Sequence, residues 1–189
     1  MRVIKKITLE NKLTKFIEKM DWTPLSIYCS RLNGDILVGK ITKREGKVTR
    51  YNDTGVEIQS FQRDNQEQEI YKYPYYITAN VNSDICTSDY GKKAVEVVDK
   101  SGQHRFSYIG QESKFDSYGI CTDILDHILV CDFGSHSVQV LDQNGQFVFV
   151  LLTPLHGVSQ PRGLCVDEDD FLFVTQDNTN TVKVFQYLQ

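Results

Sequence analysis

Cys131, Asp132 and His136 fall within six residues of one another in the stretch ILVCDFGSHSVQVLDQNGQF, Ile128 to Phe147. A thiol, a carboxylate and an imidazole so spaced could ligate a metal or form a nucleophile with its base. The other histidines, His104, His127 and His156, are scattered, and no spacing sets two histidines as ligands on one element. The cysteines, Cys29, Cys86, Cys121, Cys131 and Cys165, are odd in number and form no Cys-x-x-Cys pair. That pattern points to reduced, largely buried thiols and away from a disulfide framework or a zinc cluster. Glycine-rich phosphate loops and nucleophile elbows do not occur.

An internal repeat supplies the control for the Cys–Asp–His trio. Moved up the chain by 43 residues, the stretch lies without a gap on ICTSDYGKKAVEVVDKSGQ, Ile85 to Gln103. Asp132 then meets Asp89, Gly134 meets Gly91, and Val138 and Val140 meet Val95 and Val97. A third copy places Val182 and Val184 at the same two positions. Cys131, by contrast, meets Ser88 and Thr175, and His136 meets Lys93 and Asn180. What recurs is architecture, so Asp132 is expected to hold the backbone amides of a bend.

Upstream, Ile27, Ile77, Ile120 and Leu164 are equivalent, as are Ile36, Ile85, Ile128 and Leu172. The repeats occupy residues 24–72, 73–115, 116–159 and 160–189, preceded by a partial blade over 1–23. Each reads as short strands: SVQVLD alternates with period two, and Asn144-Gly145 suits a hairpin turn. Four antiparallel strands per repeat of this length make an all-β fold, a β-propeller of four-stranded blades. The last repeat ends without an outer strand. Closure into about five blades and a fragment of a six-bladed ring both remain open, and an unclosed ring could self-associate.

Forty per cent of the 189 residues are hydrophobic and 24% charged, an ordinary globular composition. No apolar run reaches the ~20 residues that span a bilayer, and the amino terminus is too polar for a signal peptide. The chain is therefore expected to be soluble and cytoplasmic. Residues 1–110 hold 18 Lys+Arg against 14 Asp+Glu, whereas residues 111–189 hold 3 against 11. The basic half could meet phosphate.

In a propeller, the loops that lead into the first strand of each blade gather around the channel mouth. Tyr75, Tyr118 and Arg162 share that leading position, with Leu25 in the first repeat. Lys92 and Lys93 lie in a bend expected on the same face. These five are the candidate partner-binding residues, able to stack on bases or anchor a peptide. The bend Phe133–Ser137 is a further rim contact.

The stretches ILVCDFGSHSVQVLDQNGQF and PRGLCVDEDDFLFVTQDNTNTVKVF resemble NHL repeats, as in the carboxyl-terminal propeller of invertebrate tripartite-motif (TRIM) proteins. The chain departs from that pattern where an Arg often precedes the third strand, having Ala94, Ser137 and Thr181 instead. The resemblance implies a non-catalytic recognition module that recruits substrates for a ubiquitin ligase or a post-transcriptional regulator. The RING chemistry would lie outside these residues. Expected partners are protein or single-stranded or stem-loop RNA, with no DNA, no membrane, no metal and no cofactor. The alternative is a metal-assisted propeller lyase or lactonase, which would need inward carboxylates or histidines from several blades. Asp123 and Asp167 share such a position with Ser30 and Asn80, but turn contacts explain them more simply.

Overall fold

The structure, a computed structural model, describes residues 2–30, 33–111, 113–177 and 179–188. Alternating side chains fold each repeat back on itself as an antiparallel meander. β1 (Arg2–Ile7) and β2 (Leu13–Met20) form a two-stranded sheet. Blade 1 follows with β3 (Thr23–Cys29), β4 (Ile36–Ile41), β5 (Gly46–Tyr51) and β6 (Glu57–Phe61). Blade 2 contains β7 (Pro74–Ala79), β8 (Ile85–Asp89), β9 (Ala94–Val98) and β10 (His104–Tyr108). Blade 3 contains β11 (Ser117–Thr122), β12 (Ile128–Asp132), β13 (Ser137–Leu141) and β14 (Phe147–Leu152). The last sheet has three strands, β15 (Pro161–Val166), β16 (Phe171–Gln176) and β17 (Val182–Gln186). The expected all-β propeller is the observed fold.

Equivalent residues take equivalent register: Ile128 pairs with Leu141, Ile85 with Val98 and Ile36 with Tyr51. The inner strands β3, β7, β11 and β15 lie side by side around a channel of about 680 Å³. The core sits between blades. Cys86, Val95 and Val97 of blade 2 pack on Ile120, Ile128, Val130 and Leu141 of blade 3. Leu129, Val138 and Val140 in turn pack on Leu172 and Val174 of the last sheet. Burying each such side chain is worth about 1.5–3 kcal/mol, so a blade draws its stability from its neighbours.

Ile4, Phe16 and Ile17 lay the β1–β2 sheet on Ile36, Val38 and Tyr51 of blade 1. This sheet shares no strand pairing with β15–β17, so among the described residues the two ends of the propeller remain unjoined.

Candidate functional site

The recurring carboxylate clamps the bend after the second strand to the loop that precedes the first. Asp132 Oδ1 accepts the amides of Asp116 (3.0 Å) and Gly134 (3.1 Å), and Oδ2 accepts Ser135 Oγ (2.6 Å) and Gln139 Nε2 (3.0 Å). Asp89 likewise accepts the amides of Lys72 (2.6 Å), Tyr73 (2.9 Å) and Lys92 (3.0 Å). Gln176 does the same work in the last sheet, with Oε1 accepting the Ser159 amide at 2.6 Å. Blade 1 departs from the rule: buried Lys40 stands in that register and donates to the Tyr51 hydroxyl at 2.7 Å.

The rest of the trio is held by burial and by the backbone. Cys131 is fully buried, and burial pushes its thiol well above the usual range. His136 accepts the Gln160 amide on Nδ1 at 3.0 Å. Its backbone is left-handed (φ 56°), as at the equivalent Lys93 (φ 53°) and Asn180 (φ 51°). Glu96, Ser107 and His104 also cluster, but Ser107 donates directly to Glu96 (2.6 Å). The same imidazole nitrogen, Nε2, faces both oxygens, so the cluster is no proton relay. Asp123 and Asp167 are turned into their hairpins. Asp123 Oδ1 accepts the amides of Leu125 and His127, and Asp167 Oδ1 those of Asp169 and Phe171. Asp123 Oδ2 takes the Tyr187 hydroxyl (2.8 Å) and faces His127 Nδ1 (2.9 Å). Among the described residues no three His, Cys, Asp or Glu side chains are grouped to hold a metal. The aligned turn of the first repeat includes Arg31 and Leu32, outside the described residues.

The clamps place a different set of side chains at the channel mouth. Tyr75, Tyr118 and Arg162 each meet the bend residue of their own blade. Tyr75 lies 6.4 Å from Tyr90, Tyr118 lies 4.9 Å from Phe133, and Arg162 Nε lies 3.6 Å from Asp177 Oδ1. Tyr118 and Arg162 also reach the preceding blade. Tyr118 sits 5.6 Å from Tyr90 and 6.4 Å from Tyr76, and the Arg162 guanidinium lies 5.2 Å over the Tyr118 ring. Tyr75 and Tyr76 close the upper end at 5.3 Å. The result is a ladder of five rings and one guanidinium running across three sheets. Its outer members are open, with Tyr75 43% and Tyr90 45% exposed. Burial, with Tyr90 second, raises the Tyr118 hydroxyl above its ordinary pKa.

The cations divide. The Lys92 ammonium is drawn into its own blade, 2.7 Å from buried Glu96 and 2.9 Å from the Ile70 carbonyl oxygen. Lys93 is exposed, as are Lys72 and Lys114 in the loops that lead into β7 and β11. A Cβ at Gly91 would press on the Lys72 side chain and the Tyr73 ring, and one at Gly134 on the Lys114 carbonyl oxygen. Asp116 is raised by burial, with Lys93 opposing the shift, and its buried Oδ1 has no hydrogen-bond partner among the described residues.

Tyr75, Tyr118 and Arg162 therefore come together, while Leu25, which lines the channel with Tyr75 and Tyr76, adds no ring to the ladder. Tyr76, Tyr90 and Phe133 are ladder members beyond the five candidates, and Asp177 is the ion-pair partner of Arg162. Tyr90, Phe133 and Asp177 are equivalent to one another in the repeat, so the alignment that found the leading residues holds their signal too.

No protein-family model and no curated protein sequence matches the chain. Among solved structures it is similar to virginiamycin B lyase from Staphylococcus aureus, in an inactive form with quinupristin. Identity is 16%, coverage 97% of this chain and 62% of that one, and TM-score 0.71. A putative 6-phosphogluconolactonase from Bacteroides fragilis gives 15% identity, coverage of 95% and 57%, and TM-score 0.69. The protein U3-55K gives 11%, 90% and 54%, and 0.64. The chain thus spans just over half to three-fifths of the length of these propellers. At such identities the likeness shows the fold, a β-propeller, and brings no evidence of NHL or TRIM kinship. It also corrects one expectation, that the chain is not an enzyme. The propellers it resembles include a lyase and a putative lactonase, and one fold hosts unrelated functions.

Proposed function

We propose that the loop face of blades 2 and 3 and the last sheet is a recognition surface for an extended macromolecular partner, and that single-stranded RNA fits it best. The observation that carries this is the continuous ladder from Tyr75 to Arg162, open at Tyr75 and Tyr90 and flanked by exposed Lys72, Lys93 and Lys114. Bases stack on such rings at about 1–3 kcal/mol each, and lysines beside them neutralise phosphates. The resemblance of the repeats to NHL propellers supports a recognition role.

A protein partner is the second reading. It draws on the engagement of two of the five candidates, Arg162 with Asp177 and Lys92 with Glu96, which lowers the charge left for phosphate. Fluorescence anisotropy with a labelled, unstructured RNA of about ten nucleotides separates the two. RNA binding should weaken steeply with salt and be lost in the Tyr75→Ala/Tyr90→Ala double variant. Binding that ignores both changes would overturn the reading. Failure with RNA, together with ladder-dependent binding of a peptide library, would transfer the site to a protein partner.

A further inference from the structure

The hairpins that join the first two strands of each blade stand at the end of the propeller away from the ladder, and two of them carry aliphatic tips. Val81 in blade 2 is 56% exposed, and Ile124 and Leu125 in blade 3 are 72% and 59% exposed. Turn tips ordinarily take polar residues or glycine, as at Lys100-Ser101, Gln143-Asn144 and Glu168-Asp169 in neighbouring hairpins. Blades 2 and 3 each pack on a sheet at both sides within the chain, so this exposure does not arise from either end. The three side chains do not hold the turns either. Asp123 Oδ1 accepts the Leu125 and His127 amides (2.9 and 2.8 Å), and Asn80 Oδ1 accepts those of Asn82 and Asp84 (3.1 and 2.8 Å). Asp126 Oδ1 reaches across to the Val81 amide at 3.1 Å, which ties the two tips to each other. Val81 and Ile124 line this end of the channel with Asp123, Asp167 and Glu168. The surroundings are acidic: residues 122–128, 141–147 and 166–171, the hairpins of blade 3 and the last sheet here, hold seven Asp+Glu and no Lys or Arg.

We propose that this rim docks a basic polypeptide segment with aliphatic side chains, which seat on Val81, Ile124 and Leu125 while its Lys and Arg face the acidic hairpins. Charge selects the occupant, because the same field repels the phosphates of nucleic acids and anionic lipids. Exposed aliphatic side chains grouped on one surface supply the anchor, and the carboxylates around them steer and orient the partner. The tips are fixed before binding, so little conformational freedom is lost there. This surface lies at the opposite end of the channel from the ladder and stands without the RNA reading. One chain can thus hold a partner at each end.

Fluorescence anisotropy on the 189-residue chain tests this, with a set of labelled peptides of about ten residues built from Leu, Lys and Arg in varied order. Matched controls carry Ser in place of Leu, or Glu in place of Lys and Arg. Members of the Leu–Lys–Arg set should bind, weaken as salt is added, and exceed both controls. Ile124→Ser/Leu125→Ser should weaken that binding about tenfold, and Asp169→Lys should weaken it as well. Val56→Ser, at an exposed aliphatic residue on an outer hairpin of blade 1, should leave it unchanged. All of these positions are exposed, and circular dichroism matching the parent shows that each variant folds. Binding that ignores the Ile124/Leu125 change, equal binding of either control, or no binding by any peptide of the set would each overturn the proposal.

Discussion

On one rim of the propeller six described turns obey a single rule. Asn80, Asp123 and Asp167, between the first two strands of their blades, accept amides from the residues two and four positions on. Asn52, Asp99 and Asp142, between the last two strands, accept the same pair. On the opposite rim the leading residues change from Leu25 to Tyr75, Tyr118 and Arg162, and the bend residues from Tyr90 to Phe133 and Asp177. The two rims come from one repeat, so their difference separates two duties. Side chains that repeat are spent on holding backbone, which an extended ligand cannot use. Side chains that vary on a fixed frame are presented outward, and the clamps at Asp89, Asp132 and Gln176 keep that frame fixed.

Substitutions that pit clamp, ladder and turn against one another sharpen this division. Asp132→Ala should have the largest effect on stability. It strands the buried Gln139 amide and the part-buried backbone donors of Asp116 and Gly134, at a cost of about 3 kcal/mol read in urea unfolding. Tyr90→Ala should cost less in stability but weaken partner binding about tenfold, the worth of one stacked ring. Asp167→Ala, on the other rim, should cost about 1 kcal/mol and leave binding unchanged. If Asp167→Ala weakened binding as much as Tyr90→Ala, the division of duties would be wrong.

Blade 1 provides the smallest effect, a pH dependence. Burial lowers Lys40 from 10.5 to about 8, and burial raises Tyr51 from 10.0 to about 12. Between pH 8 and 10 the unfolded chain keeps the Lys40 proton that the folded chain gives up, a contribution that rises with pH against the fall from Cys86, Cys121 and Cys131, whose thiols burial pushes up. Above pH 10 the folded chain keeps the Tyr51 proton longer, and stability falls toward pH 12. Lys40→Met should remove the opposing contribution and steepen the loss of stability between pH 8 and 10, as measured by thermal unfolding across that range.

The fold was legible because its signal is written several times. Val95, Val138 and Val182 mark one strand in three copies, and Asp89 and Asp132 mark one clamp in two. The leading residues Tyr75, Tyr118 and Arg162 were legible by the same alignment. Spacing places Lys92 in the bend but cannot say which way its ammonium turns, here to buried Glu96 four residues on in the strand. Gln176 was hidden as a clamp because an amide replaces the carboxylate while keeping the acceptor oxygen. The substitution of Lys40 into that register was equally invisible, since nothing else in blade 1 announces a buried ammonium.

The most direct measurement is ultraviolet crosslinking of a bound unstructured RNA to the full chain, with the adducts mapped by mass spectrometry. The account predicts adducts at Tyr75 and Tyr90 and none at the Asp123–His127 or Asp167–Phe171 turns. Adducts on those turns, or their absence from both tyrosines while RNA is bound, would contradict it.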